Sequence, residues 1–235
     1  EKAILFCTSD EYVAAVSKNK EKLEPYFILN IPSKIVIEEF LDKSKSHEVA
    51  QRCGLLCPST YTVKDSEGIE NIKNKIQFPC GLKPVFSHLW RTKFGGKKLV
   101  VVNSYRELVD TYEEIETLFP QIMIQELIPG GDDQIYTYCC YHDRDKRLIA
   151  DFMKRKLRQY PIHFGISSFC VSELNEWLKR ISTEFFDKIG FTGFGGIEFK
   201  RDSRDGKFKF FEMNMRFLMS QEVSAASGVD FPCIM

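Results

Sequence analysis

Apolar positions along this chain recur at two spacings, every second residue or every third to fourth, and the changes between them mark its elements. Residues 3–7 form a short apolar run, followed by Thr8, Ser9 and Asp10 as cap candidates and by near-helical spacing to residue 24, which predicts one β-α step. Asp42 is placed to cap a helix running to about Cys53, with Gly54 where a left-handed C-terminal cap falls and Pro58 barring continuation. Residues 78–85 and 99–102 read as strands on either side of a polar loop. Ser104 and Glu107 form a capping box before Leu108, Tyr112, Ile115 and Phe119, which share one helical face. A strand over 122–125 runs into Pro129, Gly130 and Gly131, a turn or hinge by composition. Residues 135–141 and 148–152 predict a hairpin joined through Asp143, Arg144 and Asp145. Leu174, Trp177, Leu178, Ile181 and Phe185 make a second helical stripe, with Ser172 at its start and Gly190 past its end. Residues 196–200 and 207–214 close a second hairpin. Helices that interrupt antiparallel strands predict α+β lobes rather than a doubly wound parallel sheet.

Composition narrows the function classes. A chain of 235 residues with 43% hydrophobic content can bury the core of one large domain or of two closely packed lobes. Its 33 basic and 33 acidic residues cancel, so no global field favours nucleic acid or an anionic membrane surface, and any phosphate must be gripped locally. No apolar stretch approaches the ~20 residues of a membrane span, and the first residues lack the blocks of a signal peptide. The expectation is a cytoplasmic protein without nucleic-acid or membrane partners, with homo-oligomerisation left open. Eight cysteines need no disulfide framework in a chain of this length, and the pairs Cys53/Cys57 and Cys139/Cys140 lack a matching pair at zinc spacing. They are expected to be reduced thiols.

The sharpest chemistry lies in the second hairpin. If it is centred near Asp205, Glu198 falls across from Glu212, while Glu212 and Asn214 share a face because side chains repeat every second residue. Two carboxylates and an amide oxygen suit Mg²⁺, which takes one or two protein carboxylates and completes its shell with water and phosphates. Arg216, one step along, is placed for the same phosphates. The plainer reading is a solvated strand face shared with Lys200, Lys207 and Lys209. Against it, opposed carboxylates destabilise each other unless a cation sits between them. Upstream, Lys156 and Arg158 alternate onto one side of a basic strand, where an arginine can grip a carboxylate or phosphoryl group in two-pronged fashion. A solvated strand end is the alternative there.

The segment FFEMNMRFLMSQEVSAASGVDFP (210–232) resembles the closing signature of ATP-grasp ligases. Four further segments resemble motifs of the same superfamily in the expected order: LDKSKSHEVAQRCGLLCPST (41–60), FPCGLKP (78–84), MIQELIPGG (123–131) and GFGGIEFKRD (193–202). The resemblance implies two α+β lobes with ATP between them. It divides the chain into a remnant of an N-terminal α/β domain (1–40), a small lobe (41–120) and a large lobe (121–235), and suggests a piece of a longer enzyme. It places Lys43 and Lys83 on the nucleotide phosphates and the backbone of Gln125, Glu126, Leu127 and Ile128 on the adenine edge, with Asp133 near the ribose. Glu198, Glu212 and Asn214 would hold Mg²⁺, and Arg216 would face the γ-phosphate or an acyl phosphate. The stretch KLRQYP is similar to one in carboxylate-amine ligases that share architecture with D-aspartate ligases, which puts Lys156 and Arg158 on the acyl-phosphate or acceptor side.

The superfamily's glycine-rich loop is a point of departure. Residues 85–98 hold only Gly95 and Gly96, so His88, Trp90, Arg91 and Lys93 either clamp phosphates by side chains or form a lid edge. The implied reaction activates a small-molecule carboxylate with Mg-ATP and joins it to an amine. A bicarbonate-activating enzyme of the carboxylase or carbamoyl phosphate synthase type, or a non-catalytic nucleotide-binding module, are the alternatives.

Overall fold

Backbone hydrogen bonds sort the strands into three sheets in a computed structural model that describes residues 2–85, 90, 94 and 99–235. A parallel pair, β1 (Ala3–Leu5) and β2 (Phe27–Leu29), is joined through α1 (Asp10–Lys18) and α2 (Lys20–Leu23). After it come α3 (Lys34–Leu41) and α4 (Lys43–Arg52), parted only by Asp42, whose extended backbone breaks the helix and whose carboxylate accepts from the Ser44 and Lys45 N–H groups.

The next unit contains β3 (Thr60–Val63), α5 (Ser66–Ile72), β4 (Cys80–Pro84), β5 (Val100–Val102), α6 (Tyr105–Ile115) and β6 (Ile122–Glu126). Its strands form an antiparallel sheet in the order β3-β6-β4-β5. Leu108, Tyr112 and Ile115 on α6 bury their stripe against Val63, Leu82, Val102 and Ile124 of that sheet. Ser104 caps α6 as expected, but Glu107 reaches back to the Asn103 N–H at 2.6 Å, one residue earlier than in a standard capping box.

The larger antiparallel sheet follows a 3₁₀ turn (Asp132–Gln134). It is built from β7 (Ile135–His142), β8 (Leu148–Tyr160), β9 (Ile166–Ser172), β10 (Gly193–Arg201) and β11 (Phe208–Asn214), in the order β11-β10-β7-β8-β9. Helix α7 (Glu176–Lys188) lies between β9 and β10, and α8 (Glu222–Ala226) and α9 (Phe231–Ile234) end the chain. Phe185 and Phe186 of α7 share one core with Tyr138, Phe199, Phe210 and Met213 of the sheet.

Several expectations are corrected. Helix α1 stops at Lys18 rather than reaching residue 24, because Asn19 closes it and sends its own side-chain N–H to the Ala15 carbonyl. The α7 cap is Asn175, not Ser172, which is the last residue of β9. The boundary between lobes falls after Glu126 rather than at 120, since β6 is an inner strand of the smaller sheet. Residues assigned elsewhere, including Val13, Val16, Leu29 and Phe40 of the first forty and Val49 and Ala50 of α4, join the large core with Phe185 and Phe210. Trp90 is fully buried against Phe94 and Phe119, so it belongs to the small core and not to a clamp. His88, Arg91, Lys93, Gly95 and Gly96 lie outside the described residues.

Gly193, at the start of β10, has φ +84, and a Cβ there would sit 2.5 Å from the Asn30 carbonyl oxygen. The segment leaving β2 thus packs closely on the start of β10. Gly54 has φ +93 with nothing within 4 Å. Gly193→Ala is therefore expected to lose about 2–3 kcal/mol, combining left-handed strain with a backbone clash, against about 1 kcal/mol for Gly54→Ala, where only strain acts. Urea midpoints of the two variants check this; equal losses would mean that the close approach at Asn30 costs nothing.

Candidate functional site

Residues paired directly across neighbouring strands lie on the same face of a sheet, so the register of the large sheet defines what its open face carries. One row runs Glu212, Glu198, Thr137, Lys154 and Ser172 across all five strands. The next row on that face runs Lys200, Ile135, Lys156 and Cys170, and the row on the other side begins Asn214, Gly196 and Cys139. Glu198, Glu212 and Asn214 are therefore brought together, with two lysines behind them. Lys156 Nζ lies 3.4 Å from Glu198 Oε2, both side chains nearly buried. Part of the repulsion between the opposed carboxylates is thus met by an amine from β8. Among the described residues no three His, Cys, Asp or Glu side chains converge into a metal cage. Two carboxylates and an amide are hard oxygen donors that fit Mg²⁺ when phosphate and water oxygens complete its shell.

Arg158 does not join Lys156. Lys156 pairs with Cys170 and Arg158 with Phe169, leaving Leu157 as an extra residue in β8; this bulge turns Arg158 to the opposite face, where it is exposed. Simple alternation fails there because the strand carries one residue more than its partner.

Arg216 Nε donates to Asp10 Oδ1 at 3.0 Å, tying the segment after β11 to the first turn of α1. Burial raises the Asp10 carboxyl above its ordinary range, against the opposing pull of Arg216 and with a further push from Glu212. Asp10 carries no sign of this role in the sequence beyond its position near a helix start, being 206 residues from its partner.

The smaller sheet presents a second polar face beneath α4. Lys83 Nζ donates to Gln125 Oε1 at 2.9 Å, and the other end of that amide, Nε2, meets His47 Nε2 and Thr60 Oγ1 at 3.0 Å each. Lysine has only donors, which fixes the orientation of the Gln125 amide. Its N–H then requires an acceptor at His47 Nε2, so the imidazole is neutral with its proton on Nδ1. Burial above all, and then the charge of Lys83, depresses the His47 pKa to about 3, while the Phe211 backbone works the other way without reversing it. Lys43 opens α4, and the adjacent Ser44 hydroxyl lies 2.9 Å from that of Thr62, which brings the start of α4 to this sheet.

Of the residues expected at an adenine edge, Gln125 and Glu126 have their backbone within the ladder between β3 and β4, and the Glu126 N–H donates to the Ser59 carbonyl at 2.9 Å. Leu127 and Ile128 follow the last pair. Asp133 is exposed, and its carbonyl accepts from Arg155 Nη1 at 3.4 Å. The Glu126 side chain serves a different purpose. Its carboxylate accepts from the Ser59 N–H at 3.0 Å and from Arg204 and Lys209. Asp202 accepts from Arg204 Nη2 at 2.5 Å and Lys209 at 2.9 Å, while Arg204 Nη1 reaches Gln77. Hydrogen bonds from Arg204, aided by Lys209, hold Asp202 well below the usual carboxylate range despite its burial. Burial acts to raise Glu126, and the hydrogen bonds and charges of Arg204, Ser59 and Lys209 outweigh it to leave a lowered pKa.

Against known proteins, no family model matches the chain. It is 27% identical over 231 residues to a D-aspartate ligase of Enterococcus faecium, covering 92% of this chain and 53% of that protein. A D-alanine–D-alanine ligase of Pseudomonas fluorescens is 23% identical over 209 residues, covering 81% of this chain and 60% of the relative. In structure, the biotin carboxylase domain of the Hydrogenobacter thermophilus 2-oxoglutarate carboxylase superposes with a TM-score of 0.74 at 22% identity, covering 94% of this chain and 49% of that one. The chain thus spans little more than half the length of the curated relatives it matches.

The His47 arrangement has a pH signature. A folded pKa of about 3 against an ordinary 6.5 means that the unfolded chain binds the proton first. The associated stability is complete above the ordinary value and is lost as pH falls towards the folded one, at up to about 1.4 kcal/mol per pH unit. Urea unfolding between pH 7 and 4.5 should show a shallower decline for His47→Gln, which keeps an acceptor and cannot titrate. Parallel declines would contradict a neutral His47.

Proposed function

The chain has the ATP-grasp fold, and from that premise we propose that it is the catalytic body of a Mg-ATP-dependent carboxylate-amine ligase. The observation that carries this reading is the opposition of Glu212 and Glu198 on one sheet with Lys156 against Glu198, together with a second lysine-bearing face on the other. The likeness to D-aspartate and D-alanine–D-alanine ligases favours an amino acid as one substrate. The balanced charge favours small-molecule substrates over nucleic acid. No helix among the described residues is long and apolar enough to cross a membrane.

In this reading, a substrate carboxylate oxygen attacks the γ-phosphorus of ATP, the bond to the bridging oxygen breaks, and ADP leaves with that electron pair. The amine lone pair then attacks the acyl carbon, phosphate departs, and the amine proton goes to solvent or base. Glu198, Glu212 and Asn214 would hold Mg²⁺, which would supply charge neutralisation on the phosphates. Phosphoryl transfer needs positioning and charge stabilisation more than covalent help, and the chain's own cations provide it. Lys83, oriented by Gln125, and Lys43 bind the nucleotide phosphates, with adenine at Leu127 and Ile128, beyond the ladder residues Gln125 and Glu126, and ribose towards Asp133. Arg216 must exchange Asp10 for the transferring phosphoryl group, and its side chain is accessible enough to do so. Lys156 neutralises Glu198 until the phosphates arrive and then serves the acyl phosphate. Arg158, on the far face, has no part in this.

Substrate-dependent phosphate release from Mg-ATP, measured over a panel of amino acids and amines, tests the reading. Release that needs bicarbonate and no amine would assign a carboxylase-type enzyme instead. Failure to bind Mg-ATP by calorimetry would end both. Glu212→Gln is expected to leave the unliganded fold as stable as before or slightly firmer, by removing one of two opposed charges, and to lower turnover at least ~100-fold. Near-unchanged turnover at saturating Mg²⁺ would remove Glu212 from the metal site.

A further inference from the structure

Lys154 carries a buried amine that none of the chemistry above uses. It is 2% exposed, and its Nζ donates to the Ser220 hydroxyl at 2.7 Å and the Ser220 carbonyl at 3.2 Å. The neighbouring cations Arg155, Lys156 and Lys179 each hold a carboxylate, namely Glu173, Glu198 and Asp151. Among the described residues Lys154 has none. A lysine offers three N–H donors, and two neutral oxygens of one serine leave both a donor and a charge without compensation. Burying an ammonium without an anion is among the costlier arrangements a fold can keep.

Its position explains what such a group is for. Lys154 pairs across β7 with Thr137, which pairs with Glu198, so its amine stands on the same face and in the same row as the two carboxylates. Ser220 comes from the segment that leaves β11 through Arg216. The next residue, Gln221, supplies an independent sign: its amide Nε2 is buried and has no acceptor. Its Oε1 lies 3.1 Å from the Ser224 hydroxyl, whose proton also meets the Gln221 carbonyl at 2.7 Å. A buried ammonium held only by two neutral oxygens of Ser220, one residue before an amide nitrogen without a partner, calls for an acceptor bearing negative charge.

We propose that Lys154, with Ser220 and Gln221, forms an oxyanion subsite beside the Glu198–Glu212 pair, taking either a carboxylate of the substrate or a phosphoryl oxygen. Its place in a ligation reaction rests on the function proposed above; the subsite itself rests on the unpaired donors. Lys154 fixes one oxygen of the ligand by charge, Ser220 holds the lysine in place and shares its hydroxyl, and Gln221 adds a neutral N–H.

Calorimetry and thermal unfolding of the wild type, Lys154→Met and Ser220→Ala, titrated separately with inorganic phosphate and with succinate, each with and without Mg-ADP, test it. The wild type is expected to bind and be stabilised by at least one of the two anions. Lys154→Met should weaken that binding at least tenfold while leaving Mg-ADP affinity within threefold and the unliganded melting temperature equal to or above the wild type. Ser220→Ala should weaken the same anion several-fold with little change in melting temperature. Preference for phosphate identifies the phosphoryl oxygens as the natural occupant, and preference for succinate a substrate carboxylate. Unchanged anion affinity in Lys154→Met overturns the proposal, as does a wild type stabilised by neither anion. Should Lys154→Met fail to fold, the Ser220→Ala titration decides alone. Anion binding that depends on Lys154 in a protein that does not bind Mg-ADP would leave the subsite standing and dismiss the ligase reading.

Discussion

The register of the larger sheet is the constraint on which the site depends. Side chains alternate between faces, so a slip of one residue between β10 and β11 would send Glu198 and Glu212 to opposite sides and scatter the row that crosses all five strands. The register is held by apolar residues on the hidden face: Ile197, Phe199, Phe210 and Met213 lock into the core with Phe185 and Phe186. A bulge at Phe211 then allows Phe210 to reach that core while Glu212 still stands opposite Glu198. Burial on one face thereby positions chemistry on the other.

A second interaction relates the two sheets. Glu126 ends β6 of the smaller sheet, and Asp202, Arg204 and Lys209 belong to the turn and strand of the β10–β11 hairpin. The two carboxylates are nearly inaccessible, so each needs its cation, and Arg204 divides its guanidinium between them. The strand that leads to the candidate adenine edge is thus fastened to the hairpin that carries the candidate metal ligands. A buried ion cluster of this kind contributes little net stability compared with an apolar contact, but it is intolerant of alternative arrangements because any misplacement leaves a charge unpaired.

Much of this architecture was legible in the sequence where a period ran long enough. The α6 stripe, the Asp42 cap, the Gly54 terminus and the Glu198–Glu212 opposition are local patterns, and each is set by neighbours a few residues away or across one tight turn. What was not legible has a physical reason in each case. β9 shows a weak alternation because it is an edge strand with much of its surface exposed, and β2 and β3 are too short for a period to register. The hairpin strand expected over 148–152 and the basic strand around Lys156 are one strand to Tyr160; lysines ordinarily mark exposed positions, whereas Lys154 and Lys156 are buried on a polar face. The Leu157 bulge cannot be read from one strand alone, since a bulge is a mismatch between two. Asp10, Thr137 and Lys154 reach the site only through long-range pairing.

The Gln125 amide, finally, limits what that position can hold. It lies between a group that only donates, Lys83, and a pair that must accept, His47 and Thr60. Glutamate would answer the lysine but leave the Thr60 hydroxyl, whose proton goes to the Pro58 carbonyl, facing a second acceptor, and the imidazole would have to take its other tautomer. A lysine or arginine would do the reverse, and asparagine falls a methylene short of both. The site therefore has a vocabulary of one among unbranched side chains of that length, and it reads polarity in a single direction, as a diode passes current. Any change at His47 or Thr60 that reversed the sense of its hydrogen bond would have to be spelled out again at Gln125 and at Lys83, so these positions are free to vary only as a group.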